Sequence, residues 1–176
     1  GLCAIVAARF LGAETVVAID PLVWRRIRAA PLGAITVSPE EAPAIVAELA
    51  AKTGRIGADS VLEAVGNPLA QKLAFELVRP GGVISAIGVH TSEHFEFSPT
   101  AAYDKNVTYK AGRCPVRSYV DRLLRLVQEG DLQIPVGQIV TQNLASLSTG
   151  KLAYHMFATR KEDCVKVLFD PRLPAR

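Results

Sequence analysis

One carboxylate stands where an apolar run stops. Thr15-Val-Val-Ala-Ile-Asp20 is apolar and largely β-branched until it closes on Asp20. A carboxylate at the carboxyl end of a covered strand faces the crevice in which α/β sheets bind nucleotides. It can accept hydrogen bonds from both hydroxyls of a ribose and repels a 2′-phosphate, so the position reads as NAD rather than NADP. An acid just before Pro21 equally suits the cap of the helix that follows, and position alone leaves both readings open. Two further predicted strand ends carry glycine, in Ala64-Val65-Gly66 and Ile87-Gly88-Val89. Glycine there lets a cofactor approach the backbone, and it equally serves an ordinary turn.

The other reactive residue types offer less. His90 and His94 have an H-x3-H spacing, but the stretch lacks helical periodicity and a third ligand, so a solvated loop is expected. His155 falls in an amphipathic pattern and reads as an ordinary, partly buried histidine. No Ser or Tyr has a base at a motif spacing, and no catalytic residue is expected. The three cysteines, Cys3, Cys114 and Cys164, are odd in number and far apart, which fits neither a disulfide framework nor a zinc motif. A reducing cytoplasm suits them best.

Composition bounds the rest. A chain of 176 residues with 49% hydrophobic content can bury one sizeable core. A net charge of +3 is too mild for a nucleic-acid footprint, and the densest basic cluster, Arg25, Arg26 and Arg28, lies on one predicted helix. No apolar run approaches the ~20 residues of a transmembrane helix. The sequence opens on Gly rather than Met, so its start is expected to be a cut.

Elements that would position these residues alternate. Leu2 to Leu11 reads as a helix ending at Gly12, Thr15 to Ile19 as a strand covered on both faces, and Leu22 to Ala30 as a helix closed by Pro31. Gly33 to Val37 is a strand, and Ser38-Pro39-Glu40-Glu41 starts a helix with a capping box. Ala58 to Val65 is a strand, Asn67 and Pro68 open a helix with Leu69, Leu73 and Leu77 as its buried stripe, and Pro80-Gly81-Gly82 turns into the strand Val83 to Ile87. His90 to Pro99 reads as a loop, Val107 to Ala111 as a strand, and Val120, Leu123, Leu124 and Val127 as the apolar face of a helix ending at Gly130. Gln138 to Gln142, Leu152 to Phe157 and Cys164 to Phe169 read as strand, helix and strand. The alternation predicts a doubly wound, Rossmann-type parallel sheet.

Order and spacing together carry a resemblance. Gly1 before a helix, Val-Val-Ala-Ile-Asp20, Arg25 with Ala29, Leu32-Gly33-Ala34, Asp59-Ser-Val-Leu-Glu-Ala-Val-Gly66, Leu77-Val-Arg-Pro-Gly-Gly-Val-Ile84, Ile87-Gly-Val89, Leu123-Leu124 with Gly130, and Val165-Lys-Val167 span almost the whole chain. The set resembles the cofactor domain and C-terminal return of the zinc-type medium-chain alcohol dehydrogenases. That resemblance implies hydride transfer between NAD and an alcohol or aldehyde, in a dimer or tetramer. By it, Gly1 is the last glycine of the phosphate loop, with Leu2 beside it. Asp20 is the ribose acid, and Pro21 and Arg25 are neighbours of the adenosine. Ala64, Val65 and Gly66 are further cofactor contacts, Ile87, Gly88 and Val89 lie along the nicotinamide, and Lys166 sits near the pyrophosphate.

The sequence departs from that family at its front. The catalytic zinc ligands and proton relay of the family lie mostly in an N-terminal domain, and neither they nor the first strand and first glycines appear in these residues. The expectation is residues 1–135 as a truncated NAD-binding domain, residues 136–176 as the return segment of a catalytic domain, no metal ligand, and no activity of the chain alone. A non-catalytic nucleotide-binding module and a zinc-independent NAD(P)H quinone or enone reductase of the same superfamily are the alternatives. Without a central strand, the Val16 to Ile19 strand is expected either to pair directly with the Ala58 to Val65 strand or to stay open there.

Overall fold

The computed structural model describes residues 1–144, 147–159 and 163–172. Helix α1 (Leu2–Phe10) ends as its sequence predicts, with Gly12 at φ +90° and its N–H donating to the Arg9 carbonyl. Strand β1 (Val17–Ile19) leads to α2 (Val23–Ala29), which continues through Pro31 as one 3-10 turn and stops at left-handed Gly33. β2 (Ile35–Val37) then pairs in parallel with β1, Val17 opposite Ile35 and Ile19 opposite Val37. The predicted capping box forms: Ser38 N–H donates to Glu41 Oε2 at 2.8 Å, and Glu41 N–H donates to Ser38 Oγ at 3.3 Å. Regular α3 (Ala42–Ala51) nevertheless begins after the box, because the residues between form a turn.

The second cycle is β3 (Ala58–Glu63), α4 (Pro68–Leu77) and β4 (Val78–Ala86). Asn67 caps α4, its Oδ1 accepting the Ala70 N–H at 2.8 Å, with Pro68 in the first turn. The stripe on α4 differs from expectation. Leu77 is buried and Leu73 half-buried, but Leu69 is 79% exposed, and Gln71 and Ala74 fill the inner face instead. β4 also starts earlier than predicted, at Val78, and runs through Pro80-Gly81-Gly82. The irregularity is absorbed where the register jumps from Ala58 opposite Val78 to Ser60 opposite Val83; a bulge is one of the few places a strand tolerates proline.

The aromatic stretch 90–98 folds back on the sheet. Phe97 stacks on Phe75 of α4 at 4.5 Å between centroids, and Phe95 meets Tyr109 edge-on at 5.2 Å. A short helix that the periodicity did not reveal, α5 (Pro99–Lys105), follows, capped by Ser98 Oγ accepting the Ala101 N–H at 3.0 Å. It delivers Lys105, whose Nζ donates to the Phe75 and Glu76 carbonyls at 2.5 and 3.2 Å, the last turn of α4, and lies 4.8 Å from the Phe75 ring centroid. Burial holds this ammonium below the ordinary lysine range, against the opposing pull of Glu76. Lys105→Ala is expected to lower stability by about 1–2 kcal/mol, from two lost helix-end bonds and a ring contact, read as a fall in denaturation midpoint at unchanged slope.

β5 (Thr108–Ala111) completes a parallel sheet in the order β3-β4-β5, separate from the β1-β2 pair. Among the described residues no ladder joins β1 to β3, so of the two expected outcomes the open one is found. What unites the halves is packing: Val37, Ala42, Val46 and Leu77 form a buried cluster, joined by Val17 and Ile19 of β1 and Ala58 and Val61 of β3. β1 is half-buried rather than fully covered. A second cluster, Ala74, Val78 and Ile84, continues the core under β5. α6 (Val116–Gln128) is the most amphipathic helix, yet Val120, Leu123, Leu124 and Val127 are 38–54% exposed. α7 (Val136–Ile139), β6 (Val140–Leu144), α8 (Gly150–Thr159) and β7 (Lys166–Phe169) follow, with β6 and β7 forming their own parallel pair.

Candidate functional site

Parallel pairing puts the carboxyl ends of β3 and β4 side by side, and Asp20 follows the last residue of β1. Asp20 is pinned on three sides. Its N–H donates to the Val37 carbonyl at 3.2 Å, its Oδ1 accepts the Leu22 N–H at 2.9 Å, and its Oδ2 faces Arg25 Nη1 at 3.4 Å. Arg26 reinforces the turn by donating to the Asp20 and Pro21 carbonyls at 2.7 and 3.2 Å. These bonds close a turn ahead of α2, which begins at Val23 with Leu22 as its N-cap and no side-chain cap, so Asp20 does not cap a helix begun by Pro21. The acid still keeps 27% of its side chain open to solvent. A carboxylate oxygen has more than one lone pair, so these bonds leave acceptor capacity facing outward. Arg25 also lies over Trp24, 5.1 Å from the ring centroid.

The second group of predicted residues closes β3 and β4. Gly66 has φ +84°, and a Cβ on it would lie 2.4 Å from the Val89 carbonyl oxygen; one on Gly88 would lie 2.3 Å from the Gly66 nitrogen. The two glycines thus serve the approach of two backbones to each other. Ile87 and Gly88 N–H both donate to the Glu63 carbonyl, at 2.8 and 3.0 Å. Around this crossing, Val65, Leu69, Ile87 and Val89 are 53–83% exposed, an apolar rim of the kind that marks a docking surface for a ligand or partner. Ala64 is exposed as well.

The structure thus gathers Asp20, Pro21 and Arg25 into one group and Ala64, Val65, Gly66, Ile87, Gly88 and Val89 into another. Gly1 and Leu2 lie at the start of α1, where the Gly1 carbonyl accepts the Ala4 and Ile5 N–H groups. Lys166 is exposed on β7, opposite Val140. Two shallow surface depressions, one lined by Ala102, Tyr103, Asp104, Asn106 and Val107 and the other by Glu93–Pro99, include none of these residues.

Two residues here escaped the sequence reading. Glu63, the last residue of β3, is buried to 4% exposure, and His90 is not a solvated loop residue: its side chain is 19% exposed, with Nε2 2.5 Å from Glu63 Oε2. The predicted strand runs on to Val65, whereas β3 ends at Glu63, its one buried residue. His94, by contrast, is exposed as expected. Among the described residues no three His, Cys, Asp or Glu side chains gather as a metal would require.

Comparison with known proteins agrees with this architecture. The family model described as zinc-binding dehydrogenase matches residues 1–129. A protein of Mycobacterium tuberculosis named as a probable zinc-binding alcohol dehydrogenase is 39% identical over 134 residues, covering 76% of this chain and 34% of its own. Zinc-type alcohol dehydrogenase B of Aspergillus flavus is 31% identical over 170 residues, covering 96% of this chain and 38% of its own. The alcohol dehydrogenase of Thermus sp. ATN1 superposes with a TM-score of 0.84 at 37% identity, over 97% of this chain and 48% of that one. The chain spans less than half the length of each of these relatives. With its parallel α/β architecture and a family match across most of its length, the chain belongs to the zinc-type medium-chain alcohol dehydrogenase family.

Proposed function

We propose that this chain is the cofactor-binding portion of an NAD-dependent alcohol dehydrogenase, with residues 1–135 carrying the dinucleotide and residues 136–176 returning to a catalytic domain. The observation that carries the reading is Asp20: a carboxylate fixed at a strand end by Leu22 N–H and Arg25, yet still open to solvent. Its oxygens would receive the two adenosine-ribose hydroxyls, with Pro21 and Arg25 flanking the adenosine. Gly1, Leu2 and Lys166 would serve the pyrophosphate. Ala64, Val65 and Gly66, with Ile87, Gly88 and Val89, would form the apolar floor for the nicotinamide end. A dinucleotide held there would supply the hydride acceptor for oxidation of an alcohol to its aldehyde, the hydroxyl proton leaving separately. The separate β6-β7 pair supports the division near residue 135.

The described residues do not fit a zinc ion, since their cysteines and histidines do not converge, and no step is assigned to one. The whole enzyme, a cytoplasmic dimer or tetramer in this proposal, would draw its zinc from residues outside these; the chain alone is expected not to turn over alcohol.

The test uses Trp24, four positions beyond Asp20 and in contact with Arg25. Titration with NAD is expected to change its fluorescence, and NADP to bind at least about tenfold more weakly, a preference that Asp20→Ala removes. No change with NAD in a folded chain would overturn cofactor binding. Tighter binding of NADPH would instead favour the zinc-independent reductase branch.

A further inference from the structure

Glu63 is the most heavily engaged residue at the strand ends. Its side chain, 2% exposed, uses both oxygens: Oε1 accepts the Val65 and Gly66 N–H groups at 2.7 and 2.8 Å, and Oε2 meets His90 Nε2 at 2.5 Å. Its own carbonyl accepts the Ile87 and Gly88 N–H groups. One residue therefore ties the loop after β3 to the loop after β4, and His90 is the tether from the far side of Gly88. A carboxylate oxygen accepts, and the His90 tautomer with hydrogen on Nε2 suits this contact. A helix cap or a turn needs no such arrangement, because the Ile87 and Gly88 bonds already anchor the end of β4. The side-chain pair adds control over where Gly66, Gly88 and Val89 sit.

We propose that Glu63 and His90 form a positioning pair that fixes the two loops receiving the nicotinamide end of the dinucleotide. The inference rests on the cofactor reading above and adds a role to residues that touch neither the adenosine group around Asp20 nor any metal. His90 acts through Glu63 and the loop backbone; it is a positioning residue, not a catalytic one. Its influence is confined to one end of the ligand, and that asymmetry separates positioning from a general loss of structure. The adenosine end rests on the β1-β2 pair, whose hydrogen bonds involve neither Glu63 nor His90.

The experiment measures binding of NADH and of ADP-ribose, which lacks the nicotinamide ring, to the full chain and to His90→Leu and His90→Gln. His90→Leu is expected to weaken NADH by about tenfold while moving ADP-ribose by less than about twofold, the loss of one charge-assisted contact felt at one end. His90→Gln, which still presents an N–H where Nε2 stood, is expected to recover most of the difference. Equal weakening of both ligands, or of neither, would overturn the positioning role. If the unaltered chain bound neither ligand, the cofactor reading itself would fall, and this inference with it. Amide exchange without ligand gives an independent check: the Val65 and Gly66 amides are expected to exchange several-fold faster in His90→Leu, and unchanged rates would overturn the proposal.

Discussion

Gly66→Ala is expected to be among the most damaging single substitutions in the chain, lowering stability by about 3 kcal/mol or more and abolishing dinucleotide binding. Two independent costs coincide. At φ +84° a side chain is strained wherever it sits, and here the new methyl would also stand 2.4 Å from the Val89 carbonyl oxygen and 2.7 Å from the Val89 nitrogen. Both obstacles are backbone, and that backbone is held: Gly66 N–H is bound to Glu63 Oε1, and Gly88 N–H to the Glu63 carbonyl. Relief would require the two strand ends to part, breaking those bonds. Gly130→Ala isolates the first cost, because Gly130 has φ +83° with no atom within 4 Å of the added carbon; about 1 kcal/mol is expected there. Denaturant midpoints of the two variants measure the comparison, and near-equal losses would show that crowding contributes nothing.

Ile84→Ala is expected to cost about 3–4 kcal/mol. Ile84 is fully buried on the middle strand of β3-β4-β5, packed in the cluster of Ala74 and Val78 with Val61, Phe75, Val107 and Tyr109 around it. Truncation removes transfer energy and leaves a void, and strands paired on both sides collapse poorly into it. Leu123→Ala removes comparable apolar mass from α6, where the side chain is 44% exposed; a loss below about 1 kcal/mol is expected. A thermal or denaturant midpoint for each variant decides, and a larger loss at Leu123 would mean that the α6 face is covered in solution.

That contrast bears on what the sequence made legible. The pattern puts Ile84 inside a predicted strand and Leu123 on the apolar face of a predicted helix, and each lies on that kind of element, but a pattern states which side seeks cover and says nothing of what covers it. Asp20, Gly66 and Gly88 were readable because strand ends are marked by where apolar runs stop, and the family-like spacing of these ends agreed. Glu63 and His90 were not, since their contact spans 27 positions and arises only from the parallel register of β3 and β4. Leu69 differs for a related reason: at the first turn of α4 it is 79% exposed, whereas Gln71, bonded to Tyr109 and to the Glu96 N–H, is buried. Helix α5 shows no period because Ser98, a sound cap before Pro99, opens a helix of only seven residues.

Among the described residues the β1-β2 pair and the β3-β4-β5 sheet meet without a ladder, and the candidate site draws on both. Asp20 is carried by one sheet and Gly66 and Gly88 by the other. A hydrogen-bonded ladder fixes alignment residue by residue and resists sliding, whereas interlocked methyl groups resist compression and yield to shear. The two halves are keyed together by Val17, Ile19, Val61 and Leu77 alongside Val37, Ala42 and Val46. Among the described residues the two ends of the site are thus spaced through packed side chains rather than through a ladder.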